Sequence, residues 1–149
     1  MKTLIVEDDP PSRLLLQGIL KAFGAIDVAE NGKEAVESVR LALEADEPYD
    51  LMCLDTMMPE MDGQEALKEI RLIEEKKGIA GPDRVKIVMT TALADKTNVI
   101  KASQHQCDCY LIKPCGREKL LQELRTLKMN RPLGIWEADE QPNLVIETK

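Results

Sequence analysis

The sequence predicts an α/β protein in which five parallel strands form one sheet with helices on both faces. Short apolar runs alternate with helix-length amphipathic segments along the first 128 residues. Parallel strands need crossover segments of that length, and nearly continuous apolar strands need cover on both faces. Because such crossovers are right-handed, the sheet is predicted to be doubly wound. The 149 residues, 44% of them hydrophobic, suit one domain with its own core.

The first half of the chain carries the signals for two helices between three strands. Asp9, followed by two prolines and Ser12, predicts a helix start, because either Asp9 or Ser12 can cap free amides and proline is tolerated in the first turn. Gly24 is predicted to end this helix, and Asn31 with Gly32 begins the next. The strands are predicted at residues 4–6, 25–29 and 50–55. The buried stripe of the second helix is predicted to contain Val36, Val39 and Leu43.

The second half continues the same alternation. A third helix is predicted from about Gly63, and a fourth, over residues 95–104, has only a thin apolar face. A weakly anchored helix is a candidate for a moving part. The remaining strands are predicted at residues 85–89 and 110–112. The inward residues of the third and the last helix are predicted to be Leu67, Ile70 and Ile73, and Leu120, Leu124 and Leu127.

Charge and hydropathy exclude two classes of partner. The net charge of −7 and a pI near 4.9 argue against a nucleic-acid or membrane surface, because phosphate-rich partners attract basic patches. The apolar stretch near the N-terminus is only three residues long, and no window approaches the length of a membrane span. The sequence therefore predicts a cytoplasmic protein.

Polar and reactive side chains follow four of the five predicted strands. Glu7 and Asp8 come after the first, Asp55 after the third, Thr91 after the fourth and Lys113 after the fifth. Asp55 alone would be an ordinary strand-end turn residue, but parallel strands bring their carboxyl ends to one edge of the sheet. Three carboxylates gathered there repel one another unless a cation lies among them, and hard oxygen ligands suit Mg²⁺.

Five short motifs together resemble the receiver domain of two-component response regulators. They are Val6-Glu7-Asp8, Leu54-Asp55 with Met58-Pro59, Met61-Asp62-Gly63, Thr91-Ala92 and Tyr110-Leu111-Ile112-Lys113-Pro114. Each motif alone is weak, whereas their combination, in order over residues 1–128, is specific. The resemblance implies a flavodoxin-like (βα)5 fold with the strand order 2-1-3-4-5.

The resemblance also implies a role for each site residue. Asp55 would accept a phosphoryl group, Lys113 would contact its oxygens, and the Thr91 hydroxyl would move to bind it. Tyr110 occupies the aromatic switch position of the family. The implied Mg²⁺ ligands are Asp8, Asp55 and the backbone carbonyl of Met57, with Glu7 acting through a metal-bound water.

The implied function is that of a stand-alone signalling phosphoacceptor rather than an enzyme, with only slow intrinsic aspartyl-phosphate hydrolysis. A sensor histidine kinase or phosphotransfer protein would donate the phosphoryl group. A downstream protein would read the state through the 95–104 helix and the fifth strand. Two alternatives stay open: a haloacid-dehalogenase-like phosphohydrolase, which needs a second aspartate where Met57 stands, and a receiver-like adaptor that is never phosphorylated.

Three features depart from a minimal receiver. Residues 40–48 and 75–84 are longer than the pattern needs, and Gln106 stands where glycine is usual. Residues 129–149 form a C-terminal tail too short for an output domain. This tail is expected to be partly disordered, or else to dock through Trp136 and the apolar triplet at 144–146.

Overall fold

A computed structural model describes residues 1–58, 61–95, 97, 100, 106–113 and 116–127. Its sheet has five strands, all parallel, in the order β2-β1-β3-β4-β5. The predicted fold class and strand order are therefore confirmed. The strands are β1 (Lys2–Val6), β2 (Ala25–Ala29), β3 (Leu51–Asp55), β4 (Lys86–Thr91) and β5 (Cys109–Ile112).

Within the described residues four α-helices join and follow these strands, and the predicted starts of the first three are confirmed. Asp9, Asn31 and Asp62 are the N-caps of the first three, and each side chain accepts a hydrogen bond from an amide of the first turn. No helix of the described residues is long and apolar enough to cross a membrane. The α-helices are α1 (Pro10–Leu20), α2 (Gly32–Glu44), α3 (Gly63–Lys76) and α4 (Arg117–Thr126).

The end of α1 differs from the prediction, and the helix predicted over residues 95–104 cannot be compared in full. α1 ends at Leu20, and a 3-10 turn, Lys21–Phe23, carries the chain to Gly24, whose φ of 142° few other residues adopt. The helix predicted over residues 95–104 lies mainly outside the described residues, as does the tail. Of this segment the structure describes residues 97 and 100, and its approach is the 3-10 turn Leu93–Asp95.

The strands separate two apolar cores. Leu4, Met52 and Ile87 belong to the core that α2 and α3 cover, and their immediate neighbours Ile5, Cys53 and Val88 belong to the core that α1 and α4 cover. Successive side chains of a strand point to opposite faces. By the same alternation Asp55 faces the α1 and α4 side, whereas Thr91 and Tyr110 face the α2 and α3 side.

The buried face of α3 corrects the sequence prediction. Leu67 and Ile70 are fully buried as expected, but Ile73 is only partly buried. Arg71 and Glu74, which the prediction did not include on the inward face, are also buried, at 7% and 3% exposure. They form an ion pair of 2.7 Å between Nη1 and Oε1. A purely apolar stripe was therefore the wrong description of this helix.

Arg71 ties α3 to the entering ends of β4 and β5. Its guanidinium donates to the carbonyls of Gln106 (2.7 Å) and Val85 (2.9 Å), and it contacts Asp108 Oδ2 at 3.2 Å. The carboxylates of Glu74 and Asp108 in turn accept hydrogen bonds from backbone amides of β4 or its approach. Buried charges persist only when paired and hydrogen-bonded in this way.

Candidate functional site

Three carboxylates meet at the carboxyl ends of β1 and β3. Oxygens of Glu7, Asp8 and Asp55 all lie within 4.8 Å of one another. Glu7 and Asp55 are 1% and 3% exposed, while Asp8 is open to solvent. β1 and β3 are neighbours although β2 lies between them in sequence, so the cluster occupies the point where the strand order reverses. Open α/β sheets bind ligands at this point.

Lys113 supplies the positive charge of the site. Its Nζ lies 3.0 Å from Glu7 Oε1 and 3.0 Å from Asp55 Oδ1. Lys113 directly follows β5, which is separated from β3 by β4, so only a long side chain from that position spans the distance. The structure thus brings together four of the predicted site residues, Glu7, Asp8, Asp55 and Lys113.

Burial and charge shift the titration of this cluster. Burial raises the pKa of Glu7 to about 7, since the hydrogen bond from Lys113 only partly offsets it and the nearby Asp55 raises it further. Burial would lower the pKa of Lys113, but its bonds to Asp55 and Glu7 outweigh that effect and leave the pKa raised. Glu7 therefore gains a proton readily when no metal ion is bound.

This shift predicts that the metal-free protein loses stability between pH 5 and pH 7. The folded state holds the Glu7 proton more tightly than the unfolded state, whose pKa is 4.5, so the free energy of unfolding falls as pH rises through the folded pKa of about 7. Urea unfolding in EDTA at both pH values measures the change. Glu7→Gln should remove this contribution and exposed Glu69→Gln should keep it; equal pH dependence in both variants would contradict the assignment.

The three consecutive acids after β1 have different roles. Asp9 caps α1, accepting from the amide and the hydroxyl of Ser12, the latter at 2.6 Å. Glu7 Oε2 accepts from the Asp9 amide at 3.2 Å, so both of its oxygens have partners. Arg13 of α1, which sequence reasoning missed, donates to the Glu7 carbonyl at 3.1 Å. Within the described residues the exposed Asp8 carboxylate has no hydrogen bond or ion pair and is available to a ligand.

The donor set fits Mg²⁺. Carboxylate oxygens are the hard ligands that this ion takes, and the exposed Asp8 leaves one side of the cluster open to water or phosphate. The Met57 amide donates to Asp55 Oδ1 at 3.3 Å, which holds the chain after β3 close to the cluster. The role of the Met57 carbonyl as a ligand stays a prediction. The metal would lie beside the phosphoacceptor candidate rather than apart from it.

The predicted switch residues Thr91 and Tyr110 lie on β4 and β5, and the Lys113 amide donates to the Thr91 carbonyl at 2.8 Å. The Thr91 side chain is fully buried, and its hydroxyl donates to the Ala92 carbonyl at 3.3 Å. Thr90 rather than Thr91 pairs with Asp55 in the ladder. The Tyr110 hydroxyl donates to the Ile100 carbonyl at 3.4 Å. The two predicted switch residues are on the same face of neighbouring strands, since Tyr110 pairs with Met89 and Thr91 lies two residues further along β4.

Gly63 determines how closely α3 approaches the site. A Cβ on this residue would lie 2.2 Å from the Asp55 carbonyl oxygen and 2.8 Å from Thr56 Cα. These are backbone atoms, so Gly63→Ala is expected to destabilise the protein by about 1–3 kcal/mol through overpacking. Gly18 lies at an exposed position of α1, and a Cβ added there would meet no other atom within 4 Å. Gly18→Ala should therefore raise the free energy of unfolding by about 0.5–1 kcal/mol. Urea unfolding of both variants tests this; a shift of the same sign would contradict it.

Comparison with known proteins agrees with this geometry. Residues 3–125 match the family described as response regulator receiver domain. The chemotaxis protein CheY of Bacillus subtilis is 32% identical over 125 residues, which cover 83% of this chain and 93% of CheY. The transcriptional regulatory protein ResD of the same organism is 38% identical over 127 residues, but the match covers 85% of this chain and 47% of ResD.

A solved structure gives the same result. The response regulator TrrA of Thermotoga maritima, in complex with Mg²⁺-BeF, has a TM-score of 0.65 and 30% identity, covering 85% of this chain and 97% of TrrA. Fold, site and relatives together define a signalling domain of two-component systems. The chain belongs to the response regulator receiver domain family. It spans about half the length of ResD and nearly all of CheY.

Proposed function

We propose that this chain is a Mg²⁺-dependent phosphoryl switch in which Asp55 accepts a phosphoryl group from a phosphohistidine. The observation that carries the proposal is the Lys113 ammonium, which lies 3.0 Å from both Asp55 and Glu7 inside the acidic cluster. A sensor histidine kinase or a phosphotransfer protein would be the donor. The Mg²⁺-BeF complex of the related TrrA supports a site of this chemistry.

The residues of the site suit this transfer. An Asp55 oxygen would form a bond to phosphorus as the phosphorus–nitrogen bond breaks, and the leaving imidazole would keep the electron pair and take a proton from solvent. The Lys113 ammonium would move from the carboxylates to the phosphoryl oxygens and offset their charge. Bound Mg²⁺ would supply further charge compensation. Asp8, Asp55 and the Met57 carbonyl would hold it directly, while Glu7, whose oxygens already have partners, would act through water.

The phosphorylated state would be read through Thr91 and Tyr110. The new phosphoryl oxygens would attract the Thr91 hydroxyl, which in the described part of the chain donates to the carbonyl of its neighbour Ala92. Its displacement would leave room beside Tyr110, the next aromatic side chain on the same face of the sheet. Tyr110 in turn contacts Ile100. A coupling of about 1–3 kcal/mol would change partner affinity roughly 5–150-fold.

The remaining features of the proposal concern the whole protein. Residues 1–128 would form the receiver and residues 129–149 a tail, with a protein target on the surface formed by β5 and the 95–104 segment. The phosphoryl group would be lost only by slow hydrolysis.

A haloacid-dehalogenase-like hydrolase has less support, because the second aspartate of that chemistry is replaced by Met57. An unphosphorylated adaptor has less support too, because every site residue is present.

Incubation of the full chain with a small phosphodonor such as acetyl phosphate tests the proposal. Intact mass should show one phosphoryl adduct that forms only with Mg²⁺ and is lost in base, and peptide mapping should place it on the segment that contains Asp55. Omission of Mg²⁺ with EDTA is the control. An unmodified chain under all conditions, or an adduct mapped elsewhere, would overturn the proposal.

A further inference from the structure

The segment 75–84, longer than a minimal receiver needs, builds a pocket at the opposite end of the sheet from Asp55. It lies between the end of α3 and the approach to β5, with a volume of about 410 Å³, within the size range of small-molecule sites. The length of β4 alone separates it from the acidic cluster by roughly 17 Å. Its lining residues are Arg71, Glu75, Gly78, Ile79, Ala80, Gly81, Arg84 and Gln106.

The loop that forms this pocket has a defined backbone. Gly78 and Gly81 have φ values of 77° and 58°, the left-handed region that glycine adopts readily. Backbone hydrogen bonds close the turns around them, from Ile79 to Glu74 (2.9 Å) and from Arg84 to Gly81 (3.2 Å). Added Cβ atoms at both glycines would meet no other atom within 4 Å. The two glycines therefore leave this wall of the pocket free of side chains.

The two arginines of the pocket differ in their partners. Arg71 is neutralised by Glu74 and Asp108, and its side chain donates four hydrogen bonds. Arg84 is partly buried, and its Nε is buried with no hydrogen-bond partner. In the described part of the chain its guanidinium has no ion pair, although Glu75 lines the same pocket. A buried donor left without a partner costs free energy, so the geometry favours an acceptor beside Arg84.

We propose that this pocket binds a carboxylate through Arg84, with Ile79 and Ala80 contacting the apolar part of the ligand. A guanidinium presents parallel donors that match a carboxylate, and a pocket of this size holds a small organic acid or an acidic side chain. That carboxylate has two sources. One is a free small acid, and the other is the acidic stretch Glu137, Asp139 and Glu140 of this chain's own tail. Ten residues beyond Leu127 reach up to about 33 Å, enough to cross the domain.

NMR of the full-length chain labelled with ¹⁵N tests the proposal, with sodium butyrate as the probe. The Arg84 Nε–H and the amides of Gly78 and Gly81 should shift and saturate in the millimolar range. Arg84→Gln, which itself removes the Nε–H signal, should abolish the shifts of the Gly78 and Gly81 amides, and Lys77→Gln, beside the pocket but not lining it, should preserve them. Glu75→Gln should tighten butyrate binding about two- to fivefold, because it removes a nearby like charge.

The tail variant E137Q/D139N/E140Q, made in the full-length chain, shows whether the carboxylate bound by Arg84 comes from the tail or from a free acid. If the tail supplies the carboxylate, this variant alone shifts the Arg84 Nε–H, and butyrate then binds more tightly than to the wild type. If a free acid is the ligand, the tail variant leaves Arg84 unchanged and butyrate binds both chains equally. The proposal is overturned if neither butyrate nor the tail variant shifts Arg84, or if Arg84→Gln leaves the butyrate shifts intact. Phosphorylation of Asp55 does not enter either readout.

Discussion

Asp55→Asn should abolish Mg²⁺-dependent phosphorylation while leaving the protein folded. Asparagine has nearly the shape of aspartate, but its amide oxygen is not a nucleophile and it binds Mg²⁺ far less well. The change also removes one of the two carboxylates that share Lys113. Because Asp55 is one of the causes that raise the pKa of Glu7, that pKa should fall toward its ordinary value. Intact mass after incubation with acetyl phosphate measures the loss of the adduct.

Asp62→Asn is the matched control for this experiment. Asp62 is seven positions further along the chain and uses its carboxylate to cap α3, a role that asparagine fills equally well. This variant should therefore be phosphorylated like the wild type. A base-labile adduct of normal yield on Asp55→Asn would show that another residue accepts the phosphoryl group, and the assignment of Asp55 would then be wrong.

Arg71→Met is expected to lower the free energy of unfolding by about 3–5 kcal/mol. The substitution leaves Glu74, with a side chain 4% exposed, and the partly buried Asp108 without their cation, and removing one partner of a buried pair has a cost of this size. The carbonyls of Val85 and Gln106 also lose their donor. Urea unfolding followed by circular dichroism gives the change in stability.

Two further variants separate charge burial from a general effect of mutation. Arg40→Met breaks the exposed pair of Arg40 with Glu37 on α2 and should cost about 0.5 kcal/mol or less. The double variant R71M/E74Q removes one of the stranded charges and should recover part of the loss. A loss for Arg71→Met no larger than that for Arg40→Met would show that the network contributes little.

Much of the fold follows from local patterns that act over a few residues. Strand positions follow from apolar runs, and the helix starts follow from Asp9 and Asn31, whose side chains satisfy free amides next to them. The buried role of Arg71 could not be predicted this way. Its partner Asp108 is 37 residues away, and periodicity assigns a charged residue to the solvent side unless a distant partner is known.

The residues of the candidate site could be predicted from local patterns, but their contacts with one another could not. Parallel strands bring Glu7, Asp55 and Lys113 to one edge whatever the details of packing, so strand ends alone suffice to group them. The contacts within the group depend on tertiary geometry. Sequence does not indicate that the Asp8 carboxylate stays without a hydrogen bond or ion pair in the described residues, nor that Arg13 reaches back to the Glu7 carbonyl.

The Arg71 network also restricts where the molecule can move. It fixes the entering ends of β4 and β5 to α3 through Val85, Gln106 and Asp108. A displacement that begins at Thr91, at the exit of β4, therefore cannot slide these strands lengthwise. We expect it to be absorbed at the exit ends of β4 and β5, which the network does not reach, with Gln106 as a fixed point. The end of the domain that carries the Arg71 network would then stay in place, and the largest displacement would occur on the surface beside Tyr110.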